Sequence, residues 1–163
     1  MKKIATLFFI TLILFIADNS IIPFLSIGGY IPSLVFVFVI NYSIINGSHE
    51  GLWLGAYAGL LQDVYFNNVL GVNAFANMIC CVIAGYIGIN IFKEKILIPV
   101  VSTFLLSIFK GLILFILLYI VKVNTSLRSI LVNSLYNMLL SIVAYRFIFK
   151  LCSKDFMEKR WKF

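Results

Sequence analysis

The sequence is short of charged residues, and this shortage excludes a soluble globular protein. Of its 163 residues, 12% are charged and 63% are hydrophobic, and the mean hydropathy is +1.08. Soluble domains carry about 25% charged residues. A soluble core of this size cannot bury this many apolar side chains. The sequence therefore predicts an integral membrane protein of one domain's length.

Cysteine and histidine are also scarce, and their placement argues against an enzyme or a metal protein. Cys80 and Cys81 are adjacent, Cys152 stands alone, and His49 is the single histidine. The spacing matches neither a disulfide framework nor a zinc site. There is no nucleophile beside a histidine, no phosphate-binding loop and no helical pair of carboxylates. We therefore expect a non-catalytic protein without metal or cofactor.

The chain is basic, with a formal net charge of +7, but nucleic acid is not the expected partner. The lysines and arginines lie in the connections and at the C-terminus instead of along one soluble face. Basic residues next to membrane spans bind anionic lipid and set the topology. Membrane lipids are thus the partners that the charge predicts.

Six apolar segments predict a bundle of about six transmembrane helices at residues 1–150, followed by a short basic cytoplasmic tail at residues 151–163. The first segment resembles a signal peptide, but Phe15-Ile16-Ala17 lacks the small residues of a cleavage site, so we expect an uncleaved helix. The second is expected to face lipid. The segments span about Ile4–Ile22, Tyr30–Ile45, Gly51–Phe66, Leu70–Phe92, Ile96–Val121 and Leu127–Lys150.

The distribution of basic residues predicts the orientation of this bundle. If the N-terminus lies inside, ten of the 13 lysines and arginines fall on the inner side. Lys122 and Arg128 fall outside, and Lys110 lies within the membrane. Because cytoplasmic loops are enriched in lysine and arginine, both termini are predicted to be cytoplasmic in a multi-pass protein of the cell membrane.

The third segment carries the most distinctive pattern in the chain. Gly51, Gly55 and Gly59 recur every fourth residue and would form one smooth ridge on a helix. Such a ridge lets a neighbouring helix approach closely in lipid. Asp63 follows on the same segment, and an acid within the membrane marks either a functional, partner-binding position or a buried group satisfied by a neighbouring helix.

Three ionisable groups are predicted at one depth in the outer half of the bilayer. With a rise of 1.5 Å per residue, Asp63 lies roughly 18 Å and Asp18 and Lys110 about 21 Å from the inner face. Unpaired charges at that depth would cost several kcal/mol each. We therefore expect Lys110 to contact Asp63 or Asp18, either as a polar functional centre or as a structural ion pair.

Asparagines at four-residue spacing add polar groups to two of the predicted helices. Asn73 and Asn77 share one face of the fourth helix, and Asn133 and Asn137 share one face of the sixth. Each pair can form hydrogen bonds to a neighbouring helix. A ligand site is the alternative function of these residues.

The segment from Gly55 to Phe75 resembles the signature of the rod shape-determining protein MreD family. The resemblance rests on a Gly-Leu-Leu-x-Asp run, a variable spacer, and Leu-Gly with a small residue three positions later. These residues are Gly59, Leu60, Leu61, Asp63, Leu70, Gly71 and Ala74. With Gly55 and Asn73 they make up a candidate motif and partner interface.

This resemblance implies a bacterial inner-membrane scaffold of the cell-wall elongation machinery. Its members act with the bitopic protein MreC and near the wall-elongation synthases, and they maintain rod shape. The family's fold is thought to resemble the substrate-binding component of energy-coupling-factor vitamin transporters, which supplies an alternative function. The short outer connections leave little chain for a lid over a vitamin and favour the scaffold. A proton-coupled carrier ranks last, because the chain has no internal repeat.

Overall fold

The computed structural model describes residues 2–26, 30–66, 70–89, 97–120 and 127–153, and these contain six α-helices and no strand. The predicted charged loop at Lys93–Lys95, the Asn67-Asn68 spacer and the tail from Lys154 onward lie outside the described residues. The helices are α1 Lys2–Ser20, α2 Leu34–Asn46, α3 Ser48–Phe66, α4 Val72–Ile89, α5 Leu97–Ile120 and α6 Leu127–Cys152, with a short 3-10 helix at Ile22–Leu25. The all-α fold class is confirmed.

Four stretches are long and apolar enough to cross a membrane by length and composition. They are Lys3–Phe24, Val72–Ile89, Leu97–Ile120 and Arg128–Cys152, which contain α1, α4, α5 and α6. With its 13 residues, α2 is about 20 Å long, which is less than the hydrocarbon core of a bilayer. The 19 residues of α3 include Glu50, Gln62 and Asp63, which lower its apolar character.

The central element of the bundle is α2. Every residue from Val35 to Ile44 is buried, and α2 packs against each of the other five helices. A helix that is apolar on all sides is typical of a buried position. The prediction that this segment faces lipid is therefore wrong. An apolar helix can face either lipid or other helices, and α2 is surrounded by other helices.

A glycine closes the sharp connection between α2 and α3. Gly47 has a φ of 98°, a conformation that residues with a β-carbon rarely adopt. Its amide donates to the carbonyl of Ser43 at 2.8 Å, which ends α2, and its own carbonyl accepts from the amide of Gly51 at 3.1 Å. With a single residue between them, α2 and α3 are held as an antiparallel pair.

The glycine ridge of α3 lies against α4. A β-carbon at Gly55 would sit 2.7 Å from the sulfur of Cys81 and 3.0 Å from the carbonyl oxygen of Asn77. At Gly59 it would meet the backbone of Ala74 and lie 2.6 Å from the carbonyl oxygen of Asn73. The ridge is a close-packing surface, as the spacing indicates, but α2 and α4 of the same chain cover it.

Glycines of α4 allow a second close approach, to the end of α2 and the turn that follows it. A β-carbon at Gly88 would lie 2.7 Å from the carbonyl carbon of Ile44, and one at Gly85 would meet the backbone of Gly47 and Ser48. The turn between α2 and α3 therefore rests directly on α4. Close approach of helix backbones is the usual role of small residues in membrane helices.

Replacing Gly59 with alanine should destabilise the bundle more than the same change at Gly111. At Gly59 the new methyl group meets the backbone of Ala74, which cannot move away, whereas at Gly111 it meets the side chain of Ile130. Overpacking of this kind costs about 1–3 kcal/mol. Thermal unfolding of the purified chain in detergent measures both variants, and an equal loss of stability would contradict the assigned α3–α4 contact.

Candidate functional site

A group of polar residues lies towards one end of the bundle, which we call the distal end. It is the end at which α1, α3 and α5 finish and α2, α4 and α6 begin. Both predicted acids, Asp18 and Asp63, lie there. Lys110 lies on α5, nearer to the middle of the bundle. The opposite end of α1 is joined to α3 through Lys3, whose Nζ lies 2.7 Å from Oε2 of Glu50.

Asp63 binds the beginning of α4. Its Oδ2 accepts hydrogen bonds from the amides of Gly71 and Ala74, both at 3.0 Å, and its Oδ1 accepts from the amide of Asn73 at 2.9 Å. The side-chain amide of Asn73 donates to the same Oδ1 at 3.0 Å. The first amides of a helix lack partners within the helix. A negative charge near them also interacts favourably with the positive end of the helix dipole.

The need for this carboxylate follows from Gly71. The carbonyl of Gly71 accepts the first helical bond of α4, from the amide of Phe75 at 2.9 Å, so Gly71 occupies the N-cap position. Its φ of 96° favours glycine, and glycine has no side chain with which to cap the helix. Asp63 of α3 supplies the missing acceptor, and only 2% of its surface is exposed.

Asp18 performs the same role for α2. Its Oδ1 accepts from the amide of Leu34 at 2.7 Å, and its Oδ2 accepts from the amide of Val35 and the hydroxyl of Ser33, both at 3.1 Å. The hydroxyl of Ser33 in turn accepts from the amide of Phe36 at 3.2 Å. In both cases an acid near the end of one helix caps the beginning of the next.

Lys110 does not pair with either acid. Its ammonium group donates to Oε1 of Gln62 at 3.2 Å and lies 4.6 Å from the centre of the Phe36 ring. The expected contact of Lys110 with Asp63 or Asp18 is therefore wrong, because each carboxylate is already occupied by the amides of a helix N-terminus. Within the described ranges, the ion pair closer than 4.0 Å is the one between Lys3 and Glu50.

Gln62 connects the helices around Lys110, a role that was not predicted from the sequence. Its Oε1 accepts from Lys110 and, at 3.0 Å, from the side chain of Asn77, while its amide donates to the hydroxyl of Ser33 at 3.1 Å. Gln62 is 6% exposed. Its position beside Asp63 in a segment with few polar residues is the signal that could have identified it.

The network continues onto α6 through Asn137. Its Oδ1 accepts from the amide of Ser33 at 2.9 Å, and its side-chain amide donates to the hydroxyl of Ser107 at 3.0 Å. The hydrogen bonds that the asparagine spacing predicts between helices are thus present for Asn73, Asn77 and Asn137. Taken with Asp18, Gln62 and Lys110, residues of all six helices or their caps join in one polar network.

Two adjoining cavities border this network at the distal end. One of about 250 Å³ lies between α5 and α6, and one of about 460 Å³ lies towards α1 and α3. Ile31, Ser33, Lys110 and Asn133 belong to the walls of both. The carbonyl oxygen of the Asn133 side chain is buried and has no hydrogen-bond partner.

The motif residues that carry the family resemblance meet at one place in the structure. Gly59 packs on Ala74, and Asp63 binds Gly71, Asn73 and Ala74. The motif therefore joins the end of α3 to the beginning of α4 within one chain. The described contacts give Gly59, Asp63 and Gly71 a structural role. Leu60 and Leu70 of the same motif are 52% and 75% exposed, and the use of the motif as a partner interface stays a prediction.

Replacing Asp63 with asparagine should lower stability whether or not Lys110 is present. An asparagine offers one oxygen instead of two and turns a donor towards the amides of α4, and leaving buried donors unsatisfied costs about 1–3 kcal/mol. Thermal unfolding and hydrogen exchange at Gly71, Asn73 and Ala74 should both report the loss. If Lys110→Met restored the stability of Asp63→Asn, an ion pair would explain the site better than the cap.

Comparison with known proteins identifies a family for the chain. No curated protein and no solved structure matches the chain. The model of the family described as rod shape-determining protein MreD matches residues 1–155. This range includes all six helices and every residue of the polar network. The chain therefore belongs to the MreD family of rod shape-determining proteins.

Proposed function

We propose that this protein is a non-catalytic scaffold of the bacterial elongation machinery, which maintains rod shape by binding a bitopic partner of the MreC type and organising wall synthases. The match of the MreD family over residues 1–155 carries the proposal. The family match supports a role in rod shape determination. Binding of the partner and organisation of the synthases are our inference. The internal position of the glycine ridge requires a docking surface elsewhere on the bundle.

The groove between α1 and α3 is our candidate for that surface. It has a volume of about 660 Å³ and mainly apolar walls that include Ile4, Phe8 and Trp53, and Lys3, His49 and Glu50 also line it. Ile4 is 74% exposed and Trp53 is 68% exposed. Phe8 stacks on Tyr57, with ring centres 4.9 Å apart. The groove runs along two helices, which is the shape that one side of a single membrane-spanning helix would fill.

Tyr57 distinguishes a protein occupant from lipid. Its hydroxyl is buried and has no hydrogen-bond partner, and Tyr57 belongs to the wall of the groove. Acyl chains offer no acceptor for this group, whereas a helix offers side-chain oxygens of serine, threonine or asparagine. A bitopic protein supplies such a helix, so we place the MreC-type partner here.

A photo-crosslinking amino acid at Trp53 should capture the MreC-type partner in cells. The same amino acid at Phe147 is the matched control, because Phe147 is also strongly exposed, at 71%, but lies on α6, which packs on α2 and α5. In parallel, Trp53→Ala should reduce co-purification of the partner about tenfold or more. Equal crosslinking from both positions would remove the groove as the docking surface.

The orientation with both termini in the cytoplasm is a second part of the proposal. Six helices return the chain to its starting side, and the sequence predicts ten of the 13 lysines and arginines on that side. Reporter fusions after Phe163 and in the connection at Asn124 should therefore report the cytoplasm and the opposite side, respectively. A C-terminal fusion exported from the cytoplasm would overturn this topology.

The substrate-binding component of a vitamin transporter remains the alternative function. It would use the cavities at the distal end to hold a small soluble molecule. The family match favours the scaffold, because it places the chain among proteins of cell shape. Loss of rod shape on depletion, without loss of vitamin uptake, would separate the two functions.

A further inference from the structure

We propose that the cavity between α5 and α6 binds a small hydroxy acid, with its carboxylate at Lys110 and a hydroxyl group at Asn133. The cavity has a volume of about 250 Å³. A cavity of about 150 Å³ is enough to hold benzene, so a molecule of the size of a sugar acid fits here. Binding at this site requires neither the groove between α1 and α3 nor the partner assigned to that groove.

The cavity leads from the distal end of the bundle to Lys110. Leu114 and Leu118 belong to its wall and follow Lys110 on α5, so they lie about 6 and 12 Å nearer to the distal end. On the opposite wall, Ser129 lies in the first turn of α6, and Asn137 lies about 12 Å deeper. A ligand therefore reaches the charge from the end of the bundle, as a water-soluble molecule does.

The ammonium group of Lys110 has bonding capacity to spare. Only 8% of the residue is exposed. Of its three N–H donors one has an acceptor among the described residues, Oε1 of Gln62 at 3.2 Å, and the centre of the Phe36 ring lies 4.6 Å away. Burying a charge beside neutral partners alone is costly, and a carboxylate in the cavity would supply the opposite charge and further acceptors.

The distribution of charge assigns the anion to this cavity and not to the neighbouring one. Among the described residues of its wall, Lys110 is the one that carries a charge. The cavity towards α1 and α3 also has Asp18 in its wall, which repels an anion. A single ammonium group balances a single negative charge. A carboxylate therefore fits better than a phosphate monoester, which carries about −1.5 to −2 at pH 7.

The hydroxyl group of the ligand is argued from Asn133. The side-chain carbonyl oxygen of this residue is buried without a hydrogen-bond partner, and Asn133 belongs to the cavity wall. An unpaired acceptor does not bind a carboxylate, but it accepts from a hydroxyl group. Ser134, which also lines the cavity, donates its hydroxyl to the carbonyl of Ile130 at 2.7 Å, so its oxygen can accept from a second hydroxyl. These acceptors favour a ligand with several hydroxyl groups.

The apolar part of the wall strengthens the charge pair. Leu114, Phe115 and Leu118 of α5 and Ile130 of α6 line the approach to Lys110. Such a wall lowers the local dielectric constant, and a bond between an ammonium group and a carboxylate is stronger there than in water. These side chains offer the ligand no hydrogen bond, so the polar groups of the cavity select it.

Gluconate, a sugar acid, is the probe, and thermal unfolding of the full chain, purified in detergent, is the measurement. Gluconate should raise the unfolding midpoint in a saturable manner, since a ligand that binds only the folded state stabilises it. Sorbitol, which has a further hydroxyl in place of the carboxylate, should give no saturable shift. Acetate, which lacks hydroxyls, should bind more weakly than gluconate. No saturable shift with gluconate, or an equal affinity for sorbitol or acetate, would overturn the proposal.

A variant and a matched control locate the carboxylate. Lys110→Met should weaken the apparent affinity for gluconate about tenfold or more, as expected for a charge-assisted bond. Lys150→Met removes the same charge from an exposed position near the other end of α6, and it should change the affinity less than about twofold. Equal losses in the two variants would show that gluconate responds to overall charge alone, against the proposed site.

Asn133→Leu keeps the proposal testable if Lys110→Met does not fold. This change leaves Lys110 and Gln62 in place and removes a carbonyl that has no partner, so the free protein should remain stable. Loss of one neutral hydrogen bond should weaken binding of gluconate by about three- to tenfold and leave the affinity for acetate unchanged. An unchanged affinity for gluconate, or an equal loss for acetate, would contradict the contact between Asn133 and a ligand hydroxyl.

Discussion

The fold depends on satisfying the N-termini of two helices that begin inside the bundle. Each helix leaves its first amides without partners, and lipid offers them none. Asp18 and Asp63 solve this for α2 and α4 from the ends of the preceding helices. Because each acid belongs to a different helix from the one it caps, the cap also fixes how the two helices pack.

The cap that Asp63 forms on α4 depends on close packing between α3 and α4. Gly59 lies one turn before Asp63, and the absence of a side chain at Gly59 allows the backbone of Ala74 to approach. That approach brings the first amides of α4 within reach of the carboxylate. Gly71, with its positive φ, turns the chain so that these amides face α3. A glycine, an acid and a second glycine therefore act as one structural unit.

Much of the fold could be predicted from the sequence, because lipid forces apolar segments to be helical. Helices α3, α5 and α6 begin or end within a few residues of the predicted positions. The position of α2 could not be predicted, since an apolar helix is compatible with lipid and with a protein core. The same limit applies to the site: the spacing places Asp63 and Lys110 at a similar depth, but depth does not identify partners.

The failure of the predicted ion pair has a physical cause. A carboxylate in a membrane needs hydrogen-bond donors, and several backbone amides at a helix N-terminus provide more of them than one ammonium group. Once Asp18 and Asp63 take the amides, Lys110 is left with the neutral oxygen of Gln62. The two caps that hold the bundle together thus leave Lys110 in the wall of the cavities without a directly bound carboxylate.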